Sequence, residues 1–153
     1  DSSIYDSRFI LEYLECMYPQ TPLLSSEVLE RLVAKKLEVL ADGVCDAVVL
    51  LFFERMRGEH ASAEWTARQV HKIEGGVREL ARLIEKRQFA IGDQFGLADI
   101  AVGAALGYLK VRFTDFDWQA LYPSLANYST NLEQRPSFQS TQPYPQTITD
   151  KVV

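Results

Sequence analysis

The chain has 153 residues, of which 47% are apolar and 24% are charged, and this composition is typical of one soluble globular domain with a sizeable core. Its net charge of −5 argues against nucleic acid or an anionic membrane as the main partner, because both are bound by clustered Lys and Arg. The apolar stretch from Ile100 to Leu109 is too short to span a bilayer.

The cysteines and histidines do not have the spacing of a metal or redox motif. Cys16 and Cys45 fall in predicted helices and form no CxxC pair, so we interpret them as reduced core thiols of a cytosolic protein. His60 and His71 have no partner at metal-ligand spacing and are interpreted as surface residues. The sequence therefore predicts a cytoplasmic protein without a metal centre.

The start of the chain predicts one short helix followed by a stiff connector. Residues 1–5 are compatible with a turn and the end of a strand. Asp6 and Ser7 then open a helix that runs to about Met17 and stops before a proline. The apolar side of this helix consists of Phe9, Ile10, Tyr13 and Leu14. Residues 19–24 contain two prolines and are interpreted as a connector.

The middle of the chain predicts two longer helices. Ser25 or Ser26 is placed to cap a helix over about residues 27–57. Ser62 is placed to cap the next helix, over about residues 63–87. In this second helix the apolar residues recur at alternating steps of three and four, which predicts one buried face. These residues are Val70, Ile73, Val77, Leu80 and Ile84.

The remainder predicts a buried helix and some shorter ones. Leu97 to Val111 carries one early charge and many small residues, so this helix is apolar on all sides and should be central. Thr114 to Gln119 is interpreted as a loop, and Pro123 begins a helix that runs to about Gln134. Pro136 to Ser140 is predicted to form a short turn. The predicted architecture is an all-α bundle of about five or six helices.

The start of the buried helix has a predicted cap. With Gly96 at the cap position, Asp99 is the third helical residue, where a carboxylate accepts the backbone N–H of the cap residue. Phe95 and Ile100 occupy the positions of a hydrophobic staple. We interpret Gly96 and Asp99 as structural. We also expect Gly96→Ser to stabilise the fold if residue 96 has an extended backbone.

Several segments resemble one known family. Residues 92–106, GDQFGLADIAVGAAL, resemble the buried helix and capping box of glutathione transferases, which usually have Ser or Thr at the cap. Residues 4–14, IYDSRFILEYL, resemble that family's strand-to-helix junction. Residues 18–24, 117–123 and 135–138 resemble its interdomain linker and the closing helices of bacterial members. These landmarks follow the family's order and cover nearly the whole chain.

The resemblance implies an all-α domain of the glutathione-transferase C-terminal type, preceded by a remnant of the thioredoxin-like domain. Residues 1–18 would be the remnant, residues 19–24 the linker and residues 25–153 the helical domain. In this family the Tyr, Ser or Cys that activates the glutathione thiol, and the cis-Pro loop, lie near the start of the thioredoxin-like domain. Neither is in this sequence, so no catalytic residue is assigned in this chain.

The family's strand-to-helix junction holds the γ-glutamyl end of glutathione, so the resemblance implies Asp6 and Ser7 as glutathione-binding residues. The chemistry is suitable, because a helix N-terminus offers N–H groups and a positive dipole end to a carboxylate. The Asp6 carboxylate can bind the ligand's ammonium group. Without the resemblance, the Asp-Ser pair indicates only a helix cap.

The resemblance places the acceptor substrate against the long helix. There, Phe52, Phe53 and Met56 are candidates for the acceptor pocket, and the alternative is that they make ordinary core or dimer contacts. Asp42 and Asp46 lie on the same helix. In some classes an acidic residue there binds the ligand's ammonium from the partner subunit, and the alternative is a solvated face.

The implied function is glutathione-dependent conjugation or processing of electrophilic small molecules, as in detoxification. Glutathione would serve as a substrate, a hydrophobic electrophile as the second substrate, and no metal ion, nucleic acid or membrane would be involved. A homodimer is expected, because the long helix has more large apolar residues than one buried stripe needs. The alternative is a non-catalytic interaction module on the same fold.

Overall fold

The computed structural model describes residues 3–18 and 20–146, whose regular structure is helical. The α-helices are, in chain order, α1 (Ser7–Met17), α2 (Val28–Met56), α3 (Ala63–Ile84), α4 (Leu97–Arg112), α5 (Trp118–Leu121), α6 (Pro123–Glu133) and α7 (Pro136–Ser140). One turn of 3-10 helix, Gly58–His60, connects α2 to α3. The predicted all-α architecture is confirmed, and the main helices begin and end close to the expected residues.

The helices α2, α3 and α4 form the centre of the molecule, and α2 packs against both of the others. The apolar stripe of α3 is completely buried at Ile73, Val77 and Leu80. Charged residues occupy the other face of α3, so this helix covers one side of the bundle. The small and apolar residues of α4 are also buried, at Val102 and Leu106 among others. The prediction that this helix is central is confirmed.

Small residues let neighbouring elements approach α4 closely. A Cβ atom added at Gly103 would lie 2.5 Å from Cε1 of the Phe138 ring, which is nearer than carbon atoms can approach. Phe138 belongs to α7 and packs against the core. Glycine at position 103 therefore explains how the short helix α7 reaches the central helix.

The start of α4 is organised by the carboxylate of Asp99, which is 1% exposed. Its Oδ2 atom accepts the backbone N–H of Gly96 at 2.9 Å. Its Oδ1 atom accepts the backbone N–H of Ala90 at 2.8 Å and the hydroxyl of Tyr128 at 2.6 Å. Burial first, and the adjacent carboxylate second, raise the pKa of Tyr128. The carboxylate thus joins α4, the loop before it and α6.

Gly96 is needed because the connector passes close to it. Its backbone is extended (φ −146°, ψ −171°), and glycine offers no side chain for the second bond of a capping box. A Cβ atom at this position would lie 2.7 Å from the carbonyl oxygen of Leu23. That oxygen accepts the N–H of Leu97 at 2.8 Å. The expectation that Gly96→Ser stabilises the fold is therefore wrong, because the connector leaves no room for a side chain.

The connector is also held from the other side, by α1. The carboxylate of Glu15 accepts the backbone N–H groups of Leu23, at 3.1 Å, and Leu24, at 3.0 Å. Leu24 is buried in the core. The connector thus carries hydrogen bonds from α1 to the start of α4, and its path follows from these bonds together with the burial of Leu24.

Two short segments differ from the sequence-based expectation. Residues 3–5 have no regular structure, since a single strand has no neighbour to pair with among the described residues. Within the segment expected to be a loop, Trp118 begins the short helix α5. Asp117 caps this helix by accepting the N–H of Ala120 at 3.1 Å, and burial of the indole ring stabilises it.

The prediction that both cysteines are core thiols is wrong for Cys16, which is exposed. The reason is that α1 contributes no buried residue to the bundle. Cys45 is partly buried, and this burial raises the pKa of its thiol to about 11.

His60 and His71 are exposed, as predicted. Among the described residues no three His, Cys, Asp or Glu side chains converge as a metal site would require. In the same part of the chain, none of the helices combines the length and the apolar character that crossing a membrane requires.

Candidate functional site

The N-terminus of α1 has an unusual backbone. Asp6 adopts φ 65° and ψ 133°, a left-handed conformation that residues other than glycine seldom adopt. Its Oδ1 atom accepts the backbone N–H of Arg8 at 3.0 Å. Ser7 is the first helical residue, and both Asp6 and Ser7 are exposed. Strained backbone of this kind is concentrated at functional sites, where the surrounding contacts maintain it.

An ion pair attaches this end of α1 to α2. The Nε atom of Arg8 donates to Oδ2 of Asp42 at 2.7 Å. The hydrogen bond to Asp42, and then its charge, raise the pKa of Arg8. Asp42 is thus engaged by its own chain, whereas Asp46 is exposed on the same helix. Asp42 thus contacts Arg8, the residue that follows Asp6 and Ser7 in the chain.

A second ionic group connects the middle of α1 to α2. Glu12 lies 2.9 Å from Arg31 and 3.2 Å from Lys35. Lys35 also lies 3.1 Å from the buried carboxylate of Glu38. The two pairs of Glu12, which are accessible to solvent, contribute about 0–1 kcal/mol each. They orient α1 on α2 without burying it.

The predicted acceptor residues lie at the far end of α2. The rings of Phe52 and Phe53 meet edge to face, with centroids 5.5 Å apart. Phe53 is 37% exposed and Met56 is 39% exposed, so both present apolar surface. With a rise of about 1.5 Å per residue, Phe53 lies about 16 Å along the helix from Asp42. These two residues also share one side of α2, because a separation of eleven residues corresponds to just over three full turns.

Arginine side chains cover the aromatic rings at this end. The guanidinium carbon of Arg112, the last residue of α4, lies 4.3 Å from the centroid of Phe52. Conversely, the guanidinium carbon of Arg55 in α2 lies 5.1 Å from the centroid of Phe113. These reciprocal contacts join the ends of α2 and α4. These contacts could not be predicted from the sequence, because the partners are far apart in the chain.

A separate apolar cavity of about 570 Å³ lies beside α4. The described residues that line it belong mainly to α4, α7 and the segment that follows, and they include Ile100, Ala104, Val111, Phe138 and Pro143. The lining contains no residue of α2. The cavity is therefore distinct from the surface formed by Phe52, Phe53 and Met56.

The chain is similar to known glutathione transferases in sequence and in structure. The family described as "Glutathione S-transferase, C-terminal domain" matches residues 63–131. A glutathione S-transferase of Methylobacterium radiotolerans, solved with glutathione sulfonate, is 54% identical, with a TM-score of 0.96 over 99% of this chain and 72% of that one. Another, from Methylobacillus flagellatus with glutathione bound, is 38% identical, with a TM-score of 0.87 over 93% and 71%.

A curated relative extends the comparison. The GST-like protein YibF of Escherichia coli is 34% identical over 91% of this chain and 69% of its own length. The chain therefore belongs to the glutathione S-transferase family, and its fold is that of the family's C-terminal helical domain. The family and the fold implied by the sequence resemblance are confirmed.

Proposed function

We propose that the intact protein binds glutathione at the N-terminus of α1 and uses it to process hydrophobic electrophiles. The observation that carries the proposal is the strained backbone of Asp6 directly before Ser7 at a helix start. The solved structures of two relatives contain glutathione or glutathione sulfonate, which supports glutathione as the ligand.

The chemistry of this end of α1 suits the γ-glutamyl group. The unpaired N–H groups of a helix N-terminus, together with its dipole, bind a carboxylate. The hydroxyl of Ser7 supplies one more donor to that carboxylate. Of the two carboxylate oxygens of Asp6, only Oδ1 accepts a hydrogen bond from a described residue. Its Oδ2 atom is therefore available for the ammonium group of the ligand.

The proposal assigns residues 1–18 to the end of a thioredoxin-like domain. The apolar side of α1 supports this assignment, because it is exposed in the described part of the chain. Its exposed residues are Phe9, Ile10, Tyr13, Leu14 and Met17. The rest of such a domain would cover them and would supply the group that activates the glutathione thiol. The γ-glutamyl end would then be bound here and the thiol activated elsewhere.

The proposed acceptor site consists of the exposed side chains of Phe53 and Met56 and the partly buried ring of Phe52. A hydrophobic electrophile needs such a surface, because burying its apolar area contributes about 25 cal/mol per Å². Phe53 lies on the same side of α2 as Asp42, which holds Arg8 beside the glutathione end. One helix would therefore carry both halves of the site.

Calorimetry with glutathione and the full-length protein tests the proposal. We expect Ser7→Ala and Asp6→Ala each to lower the affinity about tenfold or more, because a hydrogen bond to a charged group contributes about 1.5–3 kcal/mol. Ser140→Ala and Asp93→Ala are matched controls, since both residues are exposed and lie outside the proposed site. Unchanged affinity in both site variants would remove these residues from the site. Binding without turnover of any electrophile would favour the non-catalytic module.

We also propose that the protein is a homodimer that uses the exposed side of α2. Large apolar residues on this helix remain in contact with solvent in the isolated chain, which is typical of a surface that a second copy covers. These residues are Val28, Leu29, Leu32, Val33 and Val39.

Sedimentation of the full-length protein at micromolar concentration tests the dimer. We expect Leu32→Glu to dissociate it, because a charge would be buried in the interface. Leu121→Glu serves as the control, since Leu121 is an exposed leucine on α5. A monomeric wild type, or equal dissociation of both variants, would contradict the proposed interface.

We infer a reducing compartment, the cytoplasm, from the cysteines. Cys16 and Cys45 form no disulfide with each other, as is usual for proteins kept reduced. Labelling intact cells with a membrane-impermeant thiol reagent tests this assignment, since Cys16 would react only after lysis. Labelling before lysis would place the protein outside the cytoplasm.

A further inference from the structure

Arg112 lies over one of the three residues of the proposed acceptor surface, Phe52. It is the last residue of α4, and its guanidinium carbon lies 4.3 Å above the ring of Phe52. The edge of Phe52 in turn meets Phe53, which is partly exposed. A group bound on these rings would therefore lie close to a positive charge.

The charge of Arg112 has no anion beside it within the described residues. No carboxylate oxygen there comes within 4 Å of its guanidinium nitrogens, as the ion pairs of this part of the chain show. Its Nε atom is buried and has no hydrogen-bond acceptor among residues 3–18 and 20–146. One long contact of 3.5 Å joins an Nη atom to the carbonyl of Gln146. Within the described residues, the guanidinium therefore has a buried Nε donor without an acceptor and only one long contact at an Nη atom.

Arg55, at the same end of the bundle, differs from Arg112 because a carboxylate balances its charge. It also lies over an aromatic ring, that of Phe113, at 5.1 Å. Unlike Arg112, however, it pairs with Asp115 at 2.9 Å. Two arginines at the same end of the bundle therefore share a stacking arrangement but differ in whether a carboxylate accompanies them.

Physical chemistry indicates what Arg112 lacks. Shielding a guanidinium donor from water without an acceptor is unfavourable. A guanidinium stacked on an aromatic face keeps its planar N–H edges available, and that fork matches a carboxylate, to which it can donate two parallel hydrogen bonds. A carboxylate carried by a ligand would match the charge of Arg112 and accept hydrogen bonds from its Nη groups.

We propose, on the basis of the proposed function, that Arg112 binds a carboxylate of the acceptor substrate. The preferred substrates are then hydrophobic electrophiles that carry a carboxylate near the reacting carbon. The apolar part of the substrate lies on Phe53 and Met56, and its carboxylate lies against Arg112. This assigns to the acceptor site a specificity for anionic substrates that apolar residues alone would not provide.

Binding of two glutathione conjugates to the full-length protein tests the proposal by calorimetry. S-carboxyethylglutathione carries a carboxylate where S-propylglutathione carries a methyl group, so the pair isolates the charge. We expect the wild type to bind the carboxyethyl conjugate at least about tenfold more tightly, as for one charge-assisted hydrogen bond. Arg112→Gln should remove this preference and leave the affinity for the propyl conjugate unchanged.

Two further variants separate the charge from the stacking. Arg55→Gln removes the arginine whose charge is already matched, so the preference for the carboxyethyl conjugate should remain. Arg112→Lys keeps the charge but loses the planar fork, so part of the preference should remain. Thermal melting of each variant establishes whether it is folded. The wild-type comparison decides the question even if Arg112→Gln does not fold.

The outcomes distinguish the two proposals. Equal affinity of the wild type for the two conjugates, with both bound, would overturn the role of Arg112 and leave the glutathione site intact. An equal loss of both conjugates in a folded Arg112→Gln would overturn it as well. If neither conjugate nor glutathione binds the wild type, the proposed function itself fails.

Discussion

The bundle around α4 and the attachment of α1 to α2 are held by opposite kinds of contact. Around α4 the packing is apolar, and the buried carboxylate of Asp99 accepts three hydrogen bonds. On α1 no residue is buried. Its contacts with α2 include the Arg8–Asp42 pair and the ion pairs of Glu12, all between exposed or partly exposed side chains.

Because of this difference, we expect the bundle around α4 to determine the stability of the fold and the start of α1 to determine ligand binding. Shielded hydrogen bonds and close packing in the bundle contribute strongly to the free energy of unfolding, because breaking them leaves buried groups unsatisfied. Exposed ion pairs contribute about 0–1 kcal/mol but can set the direction of a helix end. Substitutions near α4 should therefore unfold the protein, and substitutions at the start of α1 should change ligand binding instead.

Asp99→Ala is the strongest test of the bundle. It leaves the N–H groups of Ala90 and Gly96 and the hydroxyl of Tyr128 without their acceptor. Since each unsatisfied buried group costs about 1–3 kcal/mol, we expect the free energy of unfolding to fall by about 3 kcal/mol or more. Denaturant melts measure this change. Asp93→Ala, in the exposed turn before α4, should change it by less than about 0.5 kcal/mol.

Gly96→Ser tests the close approach of the connector. The new Cβ atom would collide with the carbonyl of Leu23, so we expect a loss of about 2 kcal/mol, as for other overpacked positions. Gly43→Ala is the opposite control. Gly43 lies within α2 with no atom within 4 Å of an added Cβ, so alanine there should stabilise by about 0.5–1 kcal/mol.

The stability of Gly96→Ser also shows whether the connector can move away from α4. A stabilised Gly96→Ser would mean that the connector moves aside and that a Ser cap forms after all. In that case the contact of Leu23 with α4 would not be part of the rigid bundle. Stabilisation of Gly43→Ala together with a loss in Gly96→Ser would show that an added side chain is favourable where the helix has room for it and unfavourable where the connector is in contact.

Asp42→Asn should have the smallest effect on stability. We expect thermal and denaturant melts to change little, because water screens this exposed pair. Glutathione affinity of the full-length protein should nevertheless fall, because Arg8 would no longer hold the start of α1 in place. Asp46→Asn is the matched control, since Asp46 lies one turn further along α2 and makes no ion pair within the described residues. If Asp42→Asn strongly destabilised the fold and left the affinity for glutathione unchanged, the start of α1 would contribute to stability and not to ligand binding, contrary to the proposal.

The same separation explains which parts of the molecule were predictable. The helix spans and the buried face of α3 followed from apolar periodicity and from caps such as Ser62, which accepts the N–H of Trp65. These signals involve residues within one or two turns of each other. The central position of α4 followed from its uniform apolar character. Asp6 and Ser7 were proposed from a family resemblance, since their residue types alone predict only a cap.

Tertiary structure decided the remaining features. It placed the carbonyl of Leu23 against Gly96, and thereby reversed the expected effect of a serine there. It also brought Arg112 over Phe52, next to residues that the sequence had singled out only as apolar. Composition and periodicity determine which face of a helix is buried. Which distant residue meets that face depends on how the helices cross, and this is set by the packing of the whole bundle.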